Sequence, residues 1–498
     1  LAGNNQLNTR LYFSRVARTT ALPMPALHGT PGAPNSAFVT NIGPTFTSLS
    51  QNPVLPEPNT PVTVTVSAGD PQGVSGVGLW WAVNGGAWQI IPMLPQGPTA
   101  LPRYSNYVAV IPSHPAGAVV QFYAQATNFL GVASTFPARG PNSRALFKVD
   151  DGTPIMPQLH RCRLLMTVAD TALLHAPTNV MSNGRMGATV VYDERQVFYD
   201  VGIKLSGSER GRDDPARVGF NLKLQPDQLF RGVQDTFTFS RDGDFSGLGG
   251  EHDELMVRNA ANHAGGILSL EWDLLQVFAP QAAQNGVVRM RTADYNAEYF
   301  DNQYKNGSKG NLYDMEVIYY PLTTLTGDPQ SPKLPQPDNV INIDFQNWGS
   351  SPEDYRWLFI QDNNADADDY SQLIALNQAF SNAGAGDMTP LSQMLDTDEH
   401  LRALALLAFC GDPDMYLEGL NHNWKVYFRP TDGKALGLLW NEDYSWVLPN
   451  NTGFPGTSSP NTYQYIMAPD NYRRYYNHLL DLMTTTMNSD YLGRWAAR

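Results

Sequence analysis

Gly411-Asp-Pro-Asp-Met-Tyr-Leu-Glu-Gly-Leu-Asn-His-Asn423, followed after a short β pair by Trp440-Asn-Glu-Asp443, is the stretch on which the reading of this chain turns. It comes directly after a long apolar run of helical period, Leu391–Cys410. Between its two halves, Trp424–Phe428 and Leu436–Trp440 alternate as strands around Pro430-Thr-Asp-Gly433. An Asp, an Asn nine residues later and an Asp closing a hairpin suit phosphoryl transfer. In that chemistry one Asp handles the substrate hydroxyl, while Asn and a second Asp hold Mg²⁺ on nucleotide phosphates. Asp and Asn are also ordinary turn residues, so spacing alone leaves a plain loop as the competing reading. No GxSxG elbow, HExxH helix or Walker loop offers a rival chemistry.

Upstream of this stretch, helical periodicity is expected at Glu251–Ala264, Leu268–Ala279, Asp294–Asn302 and Asp368–Ala383, and downstream at Asn471–Thr486. Before the helices lie strand patterns at Thr189–Val191, Gln196–Leu205, Gly219–Leu224 and Asp235–Phe239, the first two turning at Asp193-Glu194. A β-rich lobe ahead of a mostly helical lobe with a late hairpin is an α+β arrangement spanning residues 151–498.

Residues 43–150 have a different period. Val62, Val64 and Val66 alternate with Thr63 and Thr65, Asp70-Pro-Gln-Gly73 marks a turn, and Asn84-Gly85-Gly86 joins Val77–Val83 to Ala87–Ile91 as a hairpin. Tyr107–Ile111 and Val119–Ala126 add two strands, which predicts an immunoglobulin-like or fibronectin-type β-sandwich. A spacer or adhesion role is the plain expectation for it, with Trp80, Trp81 and Trp88 as exposed-looking aromatics. Residues 1–42 read as linker, with one candidate strand at Leu11–Val16, and Leu1 looks like a processed or truncated start.

The 498 residues carry 33 Lys+Arg against 47 Asp+Glu, a formal charge of −14, and only 16% are charged. With about 25% usual for a globular chain, the surface must be covered by Asn, Gln, Ser, Thr and Gly. The acidic balance disfavours a nucleic-acid or anionic-membrane binder, and no apolar run approaches the length of a membrane span. Gly 42 and Pro 37 indicate many turns, and an extracellular or cell-surface location suits the low charge. Cys162 and Cys410 exclude a disulfide framework and a Cys-based zinc site; they either pair once or stay as two buried thiols.

Three further groups have chemical potential. Lys204-Leu-Ser-Gly-Ser-Glu-Arg-Gly-Arg212 places glycines, hydroxyls and three cations between two strands, as a phosphate-wrapping loop does and as a polar hairpin also does. Glu251-His-Asp-Glu254 offers metal-ligand types, although acids in a first helical turn simply complement the dipole. Asp362–Asp369 resembles the start of a Ca²⁺ loop, but Ala367 and Leu373 stand where Gly and Glu are needed, so a helix cap is the favoured reading.

Taken together, residues from about 159 to 486 resemble the CotH kinase family, the spore-coat-protein-H type of atypical protein kinase. The resemblance rests on Phe198–Arg212, Leu229-Phe-Arg-Gly232, Asp253-Glu-Leu-Met256 with Asn262-His-Ala-Gly265, Tyr319-Tyr-Pro321, Tyr355-Arg-Trp357, Asp396–Arg402 and Gly411–Asp443, in that order. Such kinases often follow a lamin-tail-like and an Ig-like domain on secreted bacterial proteins, and Thr30–Ser36 looks like the exit of the former. The resemblance implies a two-lobed atypical protein-kinase-like domain with ATP and Mg²⁺ or Mn²⁺ between the lobes. It implies Asp414 as the general base, Asn423, Asn441 and Asp443 at the metal, and Lys204, Ser208, Arg210, Arg212 and Lys223 facing phosphates. Glu254 is implied as a partner for one of those cations. The family usually reads Trp-Asp-x-Asp where this chain has Trp440-Asn441-Glu442-Asp443, so one metal-facing charge is missing, and Glu442 points to the other face if the segment is extended. Two functions follow as expectations. One is an extracytoplasmic Ser/Thr kinase acting on a surface protein. The other is a weak or dead kinase-like scaffold with a structural or adhesive role, partnered by self-assembly.

Overall fold

The computed structural model describes residues 39–96, 104–207, 212, 214, 217–240, 251–315, 318–321, 326, 337–341, 344–356, 358–419, 421–448, 453 and 455–497. The readings at Leu11–Val16, Thr30–Ser36, Ser208, Arg210 and Trp357 lie outside them. The Val/Thr alternation becomes β2 of an all-β unit: β1 (Thr45–Asn52), β2 (Val62–Gly69), β3 (Val74–Val83), β4 (Gln89–Pro92), β5 (Leu94–Gln96), β6 (Ser105–Ile111), β7 (Val119–Asn128), β8 (Ala133–Phe136) and β9 (Leu146–Lys148). One sheet runs β1-β2-β6-β5; the other runs β4-β3-β7-β8, with β9 added to β7. Val62, Val64 and Val66 point into a core shared with Leu79, Trp81, Phe122 and Phe147. The expected exposure of the tryptophans is corrected. Trp81 is buried, Trp80 stacks on Tyr123 and donates Nε1–H to Gln125 Oε1 at 3.0 Å, and Trp88 packs edge-on against the same tyrosine.

A second body of strands follows: β10 (His160–Leu165), β11 (Met186–Tyr192), β12 (Gln196–Ser206), β13 (Gly219–Lys223), β14 (Thr236–Phe239), β15 (Trp272–Phe278) and β16 (Asn285–Ala293), with helix α1 (Val168–Leu174) between the first two. These seven strands close into a barrel in the order β10-β11-β12-β13-β14-β16-β15, sealed by the parallel pair β15–β10. Closure removes the free edges of the sheet. Tyr199 of β12 leaves this barrel and inserts into the sandwich core, its ring edge-on to Phe122 and its hydroxyl 3.3 Å from Gln51 Oε1. The two β units are thereby packed together.

Two expectations fail here. Leu268–Ala279 is not a helix; it supplies β15, because Leu275, Val277 and Phe278 form a short apolar stretch buried in the barrel wall, where periodicity cannot separate strand from helix. The β-before-α order fails with it, since α2 (Glu251–Ala264) precedes β15 and β16.

The remaining helices are α3 (Ala297–Gln303), α4 (Ser371–Gly384), α5 (Thr389–Met394), α6 (Thr397–Cys410), α7 (Pro460–Met467), α8 (Pro469–Thr485) and α9 (Ser489–Ala496). The single helix expected over Leu391–Cys410 is broken in two. Asp396 caps α6 by accepting from Glu399 N, and Leu395 is extended, bridging to Ala435. Strands β17 (Leu312–Met315), β18 (Ile318–Pro321), β19 (Pro337–Ile341), β20 (Phe359–Gln361), β21 (Trp424–Phe428) and β22 (Ala435–Leu439) complete the chain. The predicted late hairpin is β21–β22, part of a sheet ordered β20-β17-β21-β22, and every residue of both strands is buried. Helix α6 lies in the largest core, with Leu401, Leu404 and Leu407 inaccessible to solvent. Cys162 lies in the barrel core and Cys410 at the end of α6, both buried and both free thiols. Among the described residues no helix is long and apolar enough to cross a membrane.

Candidate functional site

Helix α6 ends at Gly411, whose φ of +57° suits a residue without a side chain. The chain then turns through Asp412, which is inaccessible to solvent and fastens two loops together. Its Oδ1 accepts from Asp414 N at 2.8 Å and its Oδ2 from Tyr444 N at 3.2 Å. Backbone bonds from Trp446 N to Cys410 O (2.5 Å) and Leu448 N to Gly411 O (2.8 Å) extend the seam. Burial, with Asp443, Asp414 and Glu442 nearby, holds the Asp412 carboxyl well above the ordinary carboxylate range despite the Asp414 amide.

On this frame Asp414, Asn423, Asn441 and Asp443 come together. Asn423 donates from Nδ2 to Asp414 O at 2.8 Å, and Asn441 Nδ2 is 3.4 Å from both Asn423 Oδ1 and Asp443 Oδ1. Both asparagines adopt left-handed backbone, φ +54° at Asn423 and +60° at Asn441, a conformation Asn tolerates well. The segment after β22 is therefore not extended. His422 Nε2 lies 3.5 Å from Asp414 Oδ2. The Asp443 carboxylate, the two carboxamides and the Asp414 main-chain carbonyl form an all-oxygen donor set once the Asn441 amide presents its carbonyl. That set fits a hard divalent ion that retains waters and leans on substrate phosphates, as Mg²⁺ does. No trio of His, Cys, Asp or Glu among the described residues is disposed to hold a metal by itself.

The cations of the glycine loop gather near the end of β12. Lys204 Nζ is 3.5 Å from Asn183 Oδ1, and Arg212 Nη1 and Nη2 are each 3.3 Å from the same oxygen. Arg212 also donates from Nε to Gly207 O at 2.7 Å. Arg185, which sequence reasoning missed, joins them. Burial first, then the charges of Arg185 and Arg212, lowers the Lys204 pKa. Lys204 is within electrostatic reach of Asp362, which with Asp314 holds the buried Lys425 at 2.9 and 2.7 Å; Asp314 in turn feels His422 beside Asp414. Lys425 also lies 4.3 Å over the Trp440 ring, which packs it against the residue that opens the Asn441–Asp443 loop.

Other placements differ from expectation. Lys223 lies on the same sheet face as Lys204, two residues along β13 from the cross-strand partner Asn221, but its ammonium is ion-paired with Asp235, the residue before β14. Among the described residues Glu254 has no loop cation as partner. It accepts from Ser240 Oγ at 3.0 Å and lies 3.7 Å from Arg258, one helical turn along α2, whose guanidinium is 2.8 Å from Glu442. The carboxylates of Asp362–Asp369 are directed elsewhere: Asp362 to Lys425, Asp368 to Arg356, and Asp369 to the amide of Ser371. Arg258, Asp412, His422 and Lys425 are the site's unforeseen members. The sequence signals for them were the Glu254/Arg258 spacing of four and the positions of Asp412 and His422 inside the opening motif.

No family model and no curated protein sequence matches the chain. Solved structures resemble parts of it: a bromine derivative of BhCBM56 (14% identity, 20% of this chain and 88% of that one, TM-score 0.14) and the cycloalternan-forming enzyme of Listeria monocytogenes in complex with a pentasaccharide substrate (11% identity, 40% and 17%, TM-score 0.17). Similarity at this level carries no argument about fold or function.

Proposed function

We propose that the chain is an extracytoplasmic CotH-type atypical kinase, with residues 151–498 as its catalytic unit, transferring the γ-phosphate of ATP to Ser or Thr of a surface protein. The observation that carries this reading is the meeting of Asp414, Asn423, Asn441 and Asp443 on two loops fastened by Asp412. In the proposed reaction Asp414 orients the acceptor hydroxyl and takes its proton, with His422 beside it. Asn423, Asn441 and Asp443 would hold Mg²⁺ or Mn²⁺, whose role is to neutralise charge on the phosphates. Lys204 and Arg212 supply fixed positive charge to the nucleotide, which a chain of net charge −14 otherwise lacks. A radiolabelled ATP assay with Mg²⁺ or Mn²⁺, alongside nucleotide-induced thermal shift, tests the proposal. Absence of both autophosphorylation and nucleotide stabilisation would sink it.

A second reading, a kinase-like scaffold with little activity, is favoured by one observation: Asn441 contributes a neutral amide where a carboxylate would balance the ion. A monomer that binds ATP–metal tightly would count against it, and concentration-dependent self-association without nucleotide binding would favour it.

A further inference from the structure

A cavity of about 380 Å³, separate from the four-residue cluster, opens between the C-terminal end of α2, the Ser269–Trp272 approach to β15, the end of β16 and helix α3. We infer that it is a binding site for a neutral, hydroxyl-rich ring, a sugar residue, at which ligand hydroxyls donate to a wall of acceptors. No Lys or Arg lines it while Glu271, Asp294 and Glu298 do, which disfavours an anion such as a nucleotide phosphate, and the Glu271 charge is met from behind by Arg231 and Arg291, each at 3.0 Å. Carboxamides are fixed in place by their own amides: Asn262 Nδ2 donates to Leu270 O at 3.1 Å and Asn302 Nδ2 to Glu298 O at 2.8 Å. Each therefore keeps its carbonyl oxygen for a donor from the ligand. Glu298 adds a carboxylate to the same wall; its Oε2 and Ser269 Oγ are sealed from solvent and lie behind the surface a ligand meets. Trp272 and Tyr299 provide aromatic surface in the same wall, and the Tyr299 hydroxyl is tied to Ser269 O at 2.9 Å. A pre-organised wall of this kind, apolar on one part and acceptor-rich on another, matches a ring with C–H faces and an equatorial rim of hydroxyls.

The test uses the full chain with glucose, galactose, N-acetylglucosamine and maltose, and with spermidine as a cationic comparison, followed by saturation-transfer NMR and calorimetry. At least one sugar should bind, and the exposed-side-chain variant Asn302→Ala, which leaves the helix backbone intact, should weaken it by about 10-fold, the loss of roughly one good hydrogen bond. Trp272→Ala should weaken it further, provided its melting temperature shows a folded chain; Asn302→Ala carries the test if it does not. Failure of all four sugars to bind, binding that neither variant alters, or spermidine binding in their place overturns the inference. Phosphotransfer does not enter these readouts, so their failure leaves the kinase proposal standing and its failure leaves this one.

Discussion

The Arg258 guanidinium lies 2.8 Å from the Glu442 carboxylate, with side chains only 2% and 1% exposed. Helix α2 is thereby tied to the loop that carries Asn441 and Asp443, and Glu442 is turned away from them. A buried pair of this sort adds little net stability, but losing one partner strands the other charge at a cost of about 3–5 kcal/mol. Glu442→Leu and Arg258→Met should each lose stability on that scale in urea titrations. The double variant Arg258→Met/Glu442→Leu should lose much less than their sum. If the pair also positions the loop, the folded double variant will bind Mn²⁺ more weakly than the parent. Unchanged Mn²⁺ affinity would mean that the pair only stabilises the fold.

Glu254, next to this pair, is pushed up to about 8 chiefly by burial, with Glu442 and Asp443 adding to the effect and Arg258 opposing it. Its folded form therefore keeps a proton that the unfolded chain releases near pH 4.5. Between those limits the folded state binds more protons, so this group makes stability fall as pH rises, at a slope approaching ~1.4 kcal/mol per pH unit. Glu254→Gln should flatten the stability–pH curve between about pH 4.5 and 8, relative to the parent measured identically. A curve parallel to the parent's would mean that Glu254 is ionised in the fold.

The Val/Thr alternation of β2 was legible because its period had a single burial solution, and the late hairpin because Pro430-Thr-Asp-Gly433 marks its turn although both strands are wholly buried. Helix α2 was read to its ends. Leu268–Ala279 was misread because a strand buried in a closed barrel loses its alternation, and the apolar run is too short for length to arbitrate. Within the site, Asp414, Asn423, Asn441 and Asp443 share one neighbourhood. Lys223 and Glu254 could not have been assigned from sequence. Their partners, Asp235 across a strand pair and Arg258 with Glu442 across 184 residues, are fixed by register and packing rather than by local pattern.

Gly437 lies in the middle of β22, and a Cβ there would collide with the Trp424 indole and with His400 Nδ1, which is 2.8 Å away. Both neighbours are buried in a close-packed core and have nowhere to move. Gly437→Ala should therefore destabilise the chain by about 3 kcal/mol, the upper range for overpacking. Because β21 begins directly after Asn423, the variant should also weaken nucleotide stabilisation. A neutral effect in thermal unfolding would show that the hairpin is looser than its burial indicates.

Asn441 occupies a left-handed position, φ +60°, which Asp tolerates nearly as well as Asn, so Asn441→Asp tests the site's charge without straining the backbone. The substitution places a third carboxylate beside Asp443 and Asp414. Without a divalent ion, mutual repulsion should make the variant less stable than the parent. With Mg²⁺ or Mn²⁺ the order should reverse, because the added ligand charge strengthens coordination. If the kinase reading is right, phosphotransfer should rise on the order of 10-fold or more, and Asp443→Asn should move it the other way. A metal-dependent gain in melting temperature without a gain in transfer would separate the two proposals: the loop would hold an ion, yet the chain would act as a scaffold. If neither changes, Asn441 does not face a metal, and the resemblance at Trp440–Asp443 has no chemical content.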